Sequence, residues 1–235
     1  MKLMWLGQAG YRLVTDNGTV IMIDPYMSDS LRESRGDSYI RTVPIDQDVL
    51  HAPVDILVIT HIHDDHKDFG TLDVLLANKP VNILTPINTF FAIRNRYGGD
   101  HNYVMFDNGI DVTINDILFS SVHASHSDEK AIGVDIYADG KIITHIGDSM
   151  YHRCLKDVHP KGADALLIPV NGWGCNMNAV DAARLTRELR PKHVYPMHWD
   201  MFEAYGCDVN EFTKLFSGKE GIQIELPEYY KEYDI

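Results

Sequence analysis

Long apolar runs are missing from this chain of 235 residues. Nothing approaches the ~18 consecutive apolar residues that span a bilayer, so a membrane is not an expected partner. The opening Met1-Lys2-Leu3-Met4-Trp5-Leu6-Gly7 is broken too early, at Gly7, to serve as a secretory signal. Cysteine is scarce. Cys154, Cys175 and Cys207 are odd in number and have no metal-type spacing. This argues against a disulfide framework or a thiolate metal site and suits reduced thiols in the cytoplasm, the expected location. Basic charge is sparse as well: the net charge is −13, and the densest basic stretch, Arg94 to Arg96, holds only two cations. A nucleic-acid backbone or an anionic lipid surface would be repelled by such a field, and nucleic acid is not an expected partner. Internal repeats, low-complexity tracts and Ser/Gly-rich linkers are absent, which predicts one domain over residues 1–235. With 45% hydrophobic and 23% charged residues, the chain has the composition of a globular protein able to bury a substantial core.

Histidine, by contrast, is concentrated. Thr60-His61-Ile62-His63-Asp64-Asp65-His66 places three imidazoles and the Asp65 carboxylate within six positions, directly after the apolar run Asp55 to Ile59. Neutral imidazole is the commonest protein ligand for transition metals, and a carboxylate helps balance the charge of a cation. The apolar run predicts a buried strand, with His61 and His63 at its end and Asp65-His66 opening a helix over 65–78. Two ligands then face one cation and two face its neighbour, which predicts a dinuclear metal site.

The organisation of the chain fits such a site. Leu3–Leu6, Tyr11–Val14 and Thr19–Ile23 read as strands, with Asp16-Asn17-Gly18 as a hairpin turn. The polar stretch from Asp24-Pro25 to Asp48 reads as a loop or lid near the active face. A helix is expected over 88–97, closed by Gly98-Gly99. Ile117–Val122, Ile132–Tyr137 and Lys141–Ile146 suggest an antiparallel meander. A strand at 165–170, a helix at 179–189 and a strand at 193–195 follow. Strand clusters followed by helix–strand units, twice over, predict an α/β fold: a four-layer αββα sandwich of two mixed sheets with helices on the outer faces and the ligand loops along one edge.

Two cations need more donors than the first cluster holds. Three further candidates each follow a β-type run: His126, Asp148 after the permissive Gly147, and His198. His123 competes with His126 for the third position on the first cation, and the turn at Ser127-Asp128 favours His126. His145, three residues before Asp148, is a candidate supporting donor. Asn171, Trp173 and Arg41 are candidate substrate contacts, Arg41 as a clamp on phosphate or carboxylate. Gln8 and Tyr26 are weaker candidates.

These pieces resemble the metallo-β-lactamase superfamily, whose hallmark is His-x-His-x-Asp-His with a later His, a bridging Asp and a final His. Within it, Met4 to Tyr11, Arg41 to Pro44, Thr60 to Asp68, His145 to Ser149 and Tyr195 to Asp200 are similar to the L-ascorbate-6-phosphate lactonase group and related metal-dependent hydrolases. The resemblance implies that His61, His63 and His126 hold the first metal. It implies that Asp65, His66 and His198 hold the second, with Asp148 bridging. It further implies a hydrolase of a small polar lactone, a sugar or phosphorylated lactone, whose nucleophile is a hydroxide shared by two divalent ions (Mn or Zn, with Fe as a third option). Asp65 would double as the catalytic base. The alternative is a phosphodiesterase or nuclease of the same superfamily. A homo-oligomer is compatible with the sequence.

Overall fold

The computed structural model describes residues 1–235. The first sheet opens with an antiparallel meander of β1 (Lys2–Gly7), β2 (Gly10–Val14) and β3 (Val20–Ile23). It continues in parallel through β4 (Ile56–Val58), β5 (Asn82–Thr85) and β6 (Asn102–Met105). The second sheet begins with the antiparallel β7 (Asp111–Ile114), β8 (Ile117–His123), β9 (Ile132–Ala138) and β10 (Lys141–His145). It then turns parallel at β11 (Ala165–Pro169), β12 (His193–Met197) and β13 (Gln223–Ile224). The chain finally returns to pair β14 (Glu232–Asp234) with β1, so each sheet has seven strands.

Alternation of side chains along the strands decides what each face meets. Leu3 and Trp5, Ile21 and Ile23, and Ile56 and Val58 point to the space between the sheets. There they meet Phe119, Val134, Ile136, Leu167 and Tyr195 of the second sheet. Their neighbours Met4, Leu6, Met22 and Leu57 face outward. They pack on α2 (Gln47–Leu50), α3 (Phe69–Leu75) and α4 (Ile87–Tyr97) through Leu50, Leu72, Leu75 and Ile93. On the far side Leu166, Ile168 and Val194 pack on α6 (Ala179–Leu189) and α7 (Asn210–Thr213) through Leu185, Leu189 and Phe212. These are the four layers of the expected αββα sandwich. They also explain why the strands read as nearly continuous apolar runs: both of their faces are covered. No helix is long and apolar enough to cross a membrane.

Two expectations need correction. The helix expected over 65–78 spans only Phe69–Leu75, because Asp68 stops it at its N-terminus. The Asp68 carboxylate accepts from the Gly70 and Thr71 amides at 3.1 and 3.2 Å. Asp65 and His66 therefore sit in a single turn ahead of the helix, closed by the His66 and Lys67 amides donating to the His63 carbonyl at 3.1 and 2.8 Å. The polar stretch after Pro25 is likewise not one loop. It carries α1 (Ser30–Arg35), a 3₁₀ turn at Asp37–Tyr39 and α2, the last capped by Asp46.

Asp68 also ties these two segments together, accepting from the hydroxyls of Ser28, Ser30 and Thr71 at 2.9, 2.8 and 2.5 Å. Asp68→Ala removes a helix cap and strands several buried donors. It is expected to destabilise the fold by about 2–3 kcal/mol, read as a lower urea midpoint at unchanged slope.

Candidate metal centre

The C-terminal ends of β1, β3, β4, β8, β10, β11 and β12 share one edge of the sandwich. The loops that leave them deliver Gln8, Asp24, His61 to His66, His126, Asp148, Asn171 and His198. Three groups of ligand atoms form there, each within 4.8 Å: His61, His63 and His126; His61, His66 and Asp148; and Asp65, His66 and His198. All seven expected ligands thus converge on one spot. His123 does not; it is exposed and lines a separate surface pocket with His152 and Cys154.

Hydrogen bonds fix which ring nitrogen His61, His66 and His126 turn inward. The Thr60 hydroxyl donates to Asp24 Oδ2 at 2.5 Å, so it accepts from His61 Nδ1, 3.1 Å away. That leaves the His61 Nε2 lone pair free. His126 Nδ1 donates to the Cys175 carbonyl at 3.3 Å, which frees its Nε2. His66 Nδ1 donates to Asp24 Oδ2 at 2.8 Å, which frees Nε2 again. His61 Nε2 and His126 Nε2 then meet His63 Nδ1 at 3.0 and 3.1 Å. Three convergent imidazole nitrogens are a ready cation cage.

The second group tests the fit of a metal independently. His66 Nε2, His198 Nε2 and Asp148 Oδ1 are buried and make no hydrogen bond. Yet His198 Nε2 lies 2.8 Å from Asp148 Oδ1, and His66 Nε2 lies 3.4 Å from Asp148 Oδ2. Leaving such atoms unpaired is costly, and a divalent cation satisfies all three at once. Asp148 Oδ2 is also 3.9 Å from His126 Nε2, so this one carboxylate reaches both groups. Five imidazoles and two carboxylates suit Zn, Mn or Fe.

Burial, ahead of repulsion by His66, holds the His61 pKa well below the usual imidazole value, and burial lowers that of His126. Both rings are therefore neutral and ready to ligate. Burial pulls His66 in the same direction, but the carboxylates of Asp148, Asp24 and Asp65 outweigh it and raise the pKa well above normal. Asp148 is buried too, yet His198 and His66 keep it ionised far below the usual carboxylate range.

Strain marks the surroundings. Gln8, Asp24 and His198 all adopt left-handed backbone angles, φ 48°, 43° and 61°, an arrangement that costs energy in non-glycine residues. Gly147, at φ +69°, brings the chain so close to β9 that a Cβ would sit 2.3 Å from the Ile132 carbonyl oxygen. Only glycine allows Asp148 to turn in here.

The other expected site residues divide. Asn171 and Trp173 line the cavity above the ligands, a space of about 270 Å³ that also touches Arg35, Asp65, Cys175 and Tyr205. Arg41 does not line it. Its guanidinium donates to the carbonyls of Tyr26 and Val43 and to the Tyr230 hydroxyl, so it braces the N-terminal loop. His145 also departs from expectation: Nε2 donates to the Ala9 carbonyl at 2.9 Å and Nδ1 accepts from the Gly147 amide at 3.0 Å. Its partners are backbone groups, and it shapes the Gly147 turn. Tyr26 is buried in the core. Gln8 has a supporting place, with Nε2 at 3.1 Å from Asp65 Oδ2 and 3.2 Å from His198 Nδ1.

Asp24 and Asn176 were not anticipated. Asp24 accepts from the Thr60 amide at 2.7 Å and orients two rings, and Asn176 donates to Asp148 Oδ2 at 3.1 Å. An aspartate immediately after an apolar run, as in Ile23-Asp24-Pro25, is the signal that would have found the first. Asp24→Ala is expected to weaken metal binding ~10–100-fold, measured by competition with a chelator. The raised His66 pKa sets the sign of the pH dependence. As pH falls through it, a proton takes the Nε2 position, so metal affinity, read by chelator competition across a pH series, should already be falling above the ordinary imidazole range.

A family model described as the beta-lactamase superfamily domain matches residues 2–198. A UPF0173 metal-dependent hydrolase of Polynucleobacter asymbioticus is 31% identical over 240 residues, covering 92% of this chain and 80% of its own. One from Pyrococcus furiosus is 27% identical over 239 residues, 97% of each. The solved structure of a metallo hydrolase from Ignicoccus hospitalis aligns with a TM-score of 0.76 at 20% identity, covering 100% of this chain and 98% of that one. With the model spanning most of the sequence and the ligand clusters in place, the chain belongs to the beta-lactamase superfamily, as a metal-dependent hydrolase of the metallo-β-lactamase fold.

Proposed function

We propose that this hydrolase opens a small polar lactone, a sugar or phosphorylated lactone, at a site that binds two divalent cations. The observation that carries the reading is the convergence of unpaired imidazole and carboxylate atoms on the floor of a cavity of about 270 Å³. That is below the ~300–1,000 Å³ of drug-sized ligand pockets and suits a compact metabolite. The motif likeness to the L-ascorbate-6-phosphate lactonase group supports the choice of a cyclic ester.

His61, His63 and His126 would hold the first cation, Asp65, His66 and His198 the second, and Asp148 both. When bound, such a pair supplies Lewis-acid polarisation of the scissile carbonyl and lowers the pKa of water towards about 7. Asp65 orients the attacking water, since Gln8 fixes its carboxylate from behind. Its free oxygen takes the water proton and returns it to the ring oxygen as the C–O bond opens. The hydroxyl goes to the carbonyl carbon, and a hydroxy acid leaves. Asn171 and Trp173 bound the substrate above, and the indole is 62% exposed there. Nucleic acid is a poor candidate for a chain of net charge −13 whose cavity offers one arginine.

Chelator-stripped protein is expected to be inactive and to recover with Mn or Zn. A panel of lactones beside bis-p-nitrophenyl phosphate separates the readings: lactone turnover supports this one, whereas phosphodiester cleavage alone replaces it with a phosphodiesterase. Asp148→Asn should lower metal occupancy by elemental analysis and reduce turnover by at least about 10³-fold. Retained occupancy and activity would contradict the bridging role.

A further inference from the structure

The geometry points to Arg35 as the anion-recognition residue of this cavity, so that the substrate carries a carboxylate or phosphate besides the bond that is cleaved. The inference rests on the hydrolase reading above and names the substrate class within it. Among the residues lining the cavity, Arg35 is the one lysine or arginine, in a chain of net charge −13. It is the last residue of α1, and Gly36 follows with φ +97°, which turns the chain sharply away at the cavity rim.

Its contacts position the guanidinium without consuming it. Nη2 donates to Asp64 Oδ2 at 3.2 Å, and the guanidinium carbon lies 5.7 Å from the centre of the Tyr39 ring. Asp64 is shared, since Lys67 Nζ approaches its other oxygen at 3.6 Å. The Arg35–Asp64 pair is itself well exposed, 42% and 54%, and pairs of that kind add little to stability. A guanidinium has five N–H donors in a planar fork, so most remain for a bidentate anion. Tyr205 stands beside it on the cavity wall, its hydroxyl 3.4 Å from that of Tyr39. Tyr39 donates to the Tyr205 hydroxyl, which leaves the Tyr205 O–H free as a second donor.

Trp173 lines the same cavity, flanked by Gly172 and Gly174 in left-handed conformations. The role assigned in sequence to Arg41 thus passes to Arg35, because Arg41 spends its donors on Tyr26, Val43 and Tyr230.

The test compares metal-loaded wild-type protein with Arg35→Gln and Arg35→Lys. The probes are tetrahydrofuroate, which has no ester to cleave, and the neutral tetrahydrofurfuryl alcohol, both titrated by calorimetry. Wild type should prefer the acid. Arg35→Gln should weaken acid binding by about tenfold or more, with alcohol binding and metal content unchanged, and Arg35→Lys should fall between. KM for γ-butyrolactone carrying a ring carboxylate should rise in parallel in Arg35→Gln, while that for γ-butyrolactone itself stays constant. Equal acid affinity in wild type and Arg35→Gln, or no preference of wild type for the acid, overturns the inference. Arg35-dependent acid binding without turnover of any lactone sustains Arg35 and removes only the lactone reading.

Discussion

Like charges and unpaired lone pairs crowd one edge of this sandwich, and their need for a common counter-ion organises what surrounds them. Five imidazoles and two carboxylates meet within a few ångströms, several of them fully buried. Without a cation, His66 and Asp148 must compensate each other, which accounts for the opposite displacement of their pKa values from those of isolated groups. The surrounding shell restricts three of the rings and the Asp148 carboxylate to one orientation each. Asp24 and Thr60 fix His66 and His61, the Cys175 carbonyl fixes His126, and Asn176 fixes Asp148. Left-handed backbone at Gln8, Asp24 and His198 is the conformational cost of bringing these groups in from separate strands.

The sandwich makes that convergence affordable in structural terms. Trp5, Ile21, Val58, Phe119, Ile136 and Leu167 form a core between the sheets that holds both strand sets in register. Two helical layers cover the outer faces. With regular structure secured on four layers, the irregular turns at the strand ends are free to serve chemistry. Asp128 joins two of them: it accepts from the Ile62 amide and the Asn88 side chain and thereby links the His61–His66 turn to the loop bearing His126.

Much of this was legible in the sequence. The short apolar runs Leu3–Leu6 and Thr19–Ile23, set apart by Gly7 and the Asp16-Asn17-Gly18 turn, predicted the strands, and the His-x-His-x-Asp-His spacing predicted which side chains gather. His126 was separable from His123 because the Ser127-Asp128 turn redirects the chain. What spacing alone does not convey is direction and remote pairing. Asp24 reaches His66 across 42 positions of sequence, through strand pairing of β3 with β4. Arg41 and Arg35 lie in the same polar stretch, and only the short helix α1 decides which of them faces the cavity. His145 is near Asp148 in sequence but binds backbone, because strand geometry turns the ring towards Ala9. The overlong helix after Asp65 failed for a local reason: Asp68 is a stronger start signal than the residues before it.

The central claim is that these seven side chains hold two cations. Anomalous diffraction from crystals grown with Mn or Zn tests it most directly. The account predicts two peaks about 3.5–4 Å apart. One should lie about 2.0–2.3 Å from His61 Nε2, His63 Nδ1 and His126 Nε2, the other beside His66 and His198, with Asp148 between them. A single peak, or none at this edge with the metal in excess, would contradict it.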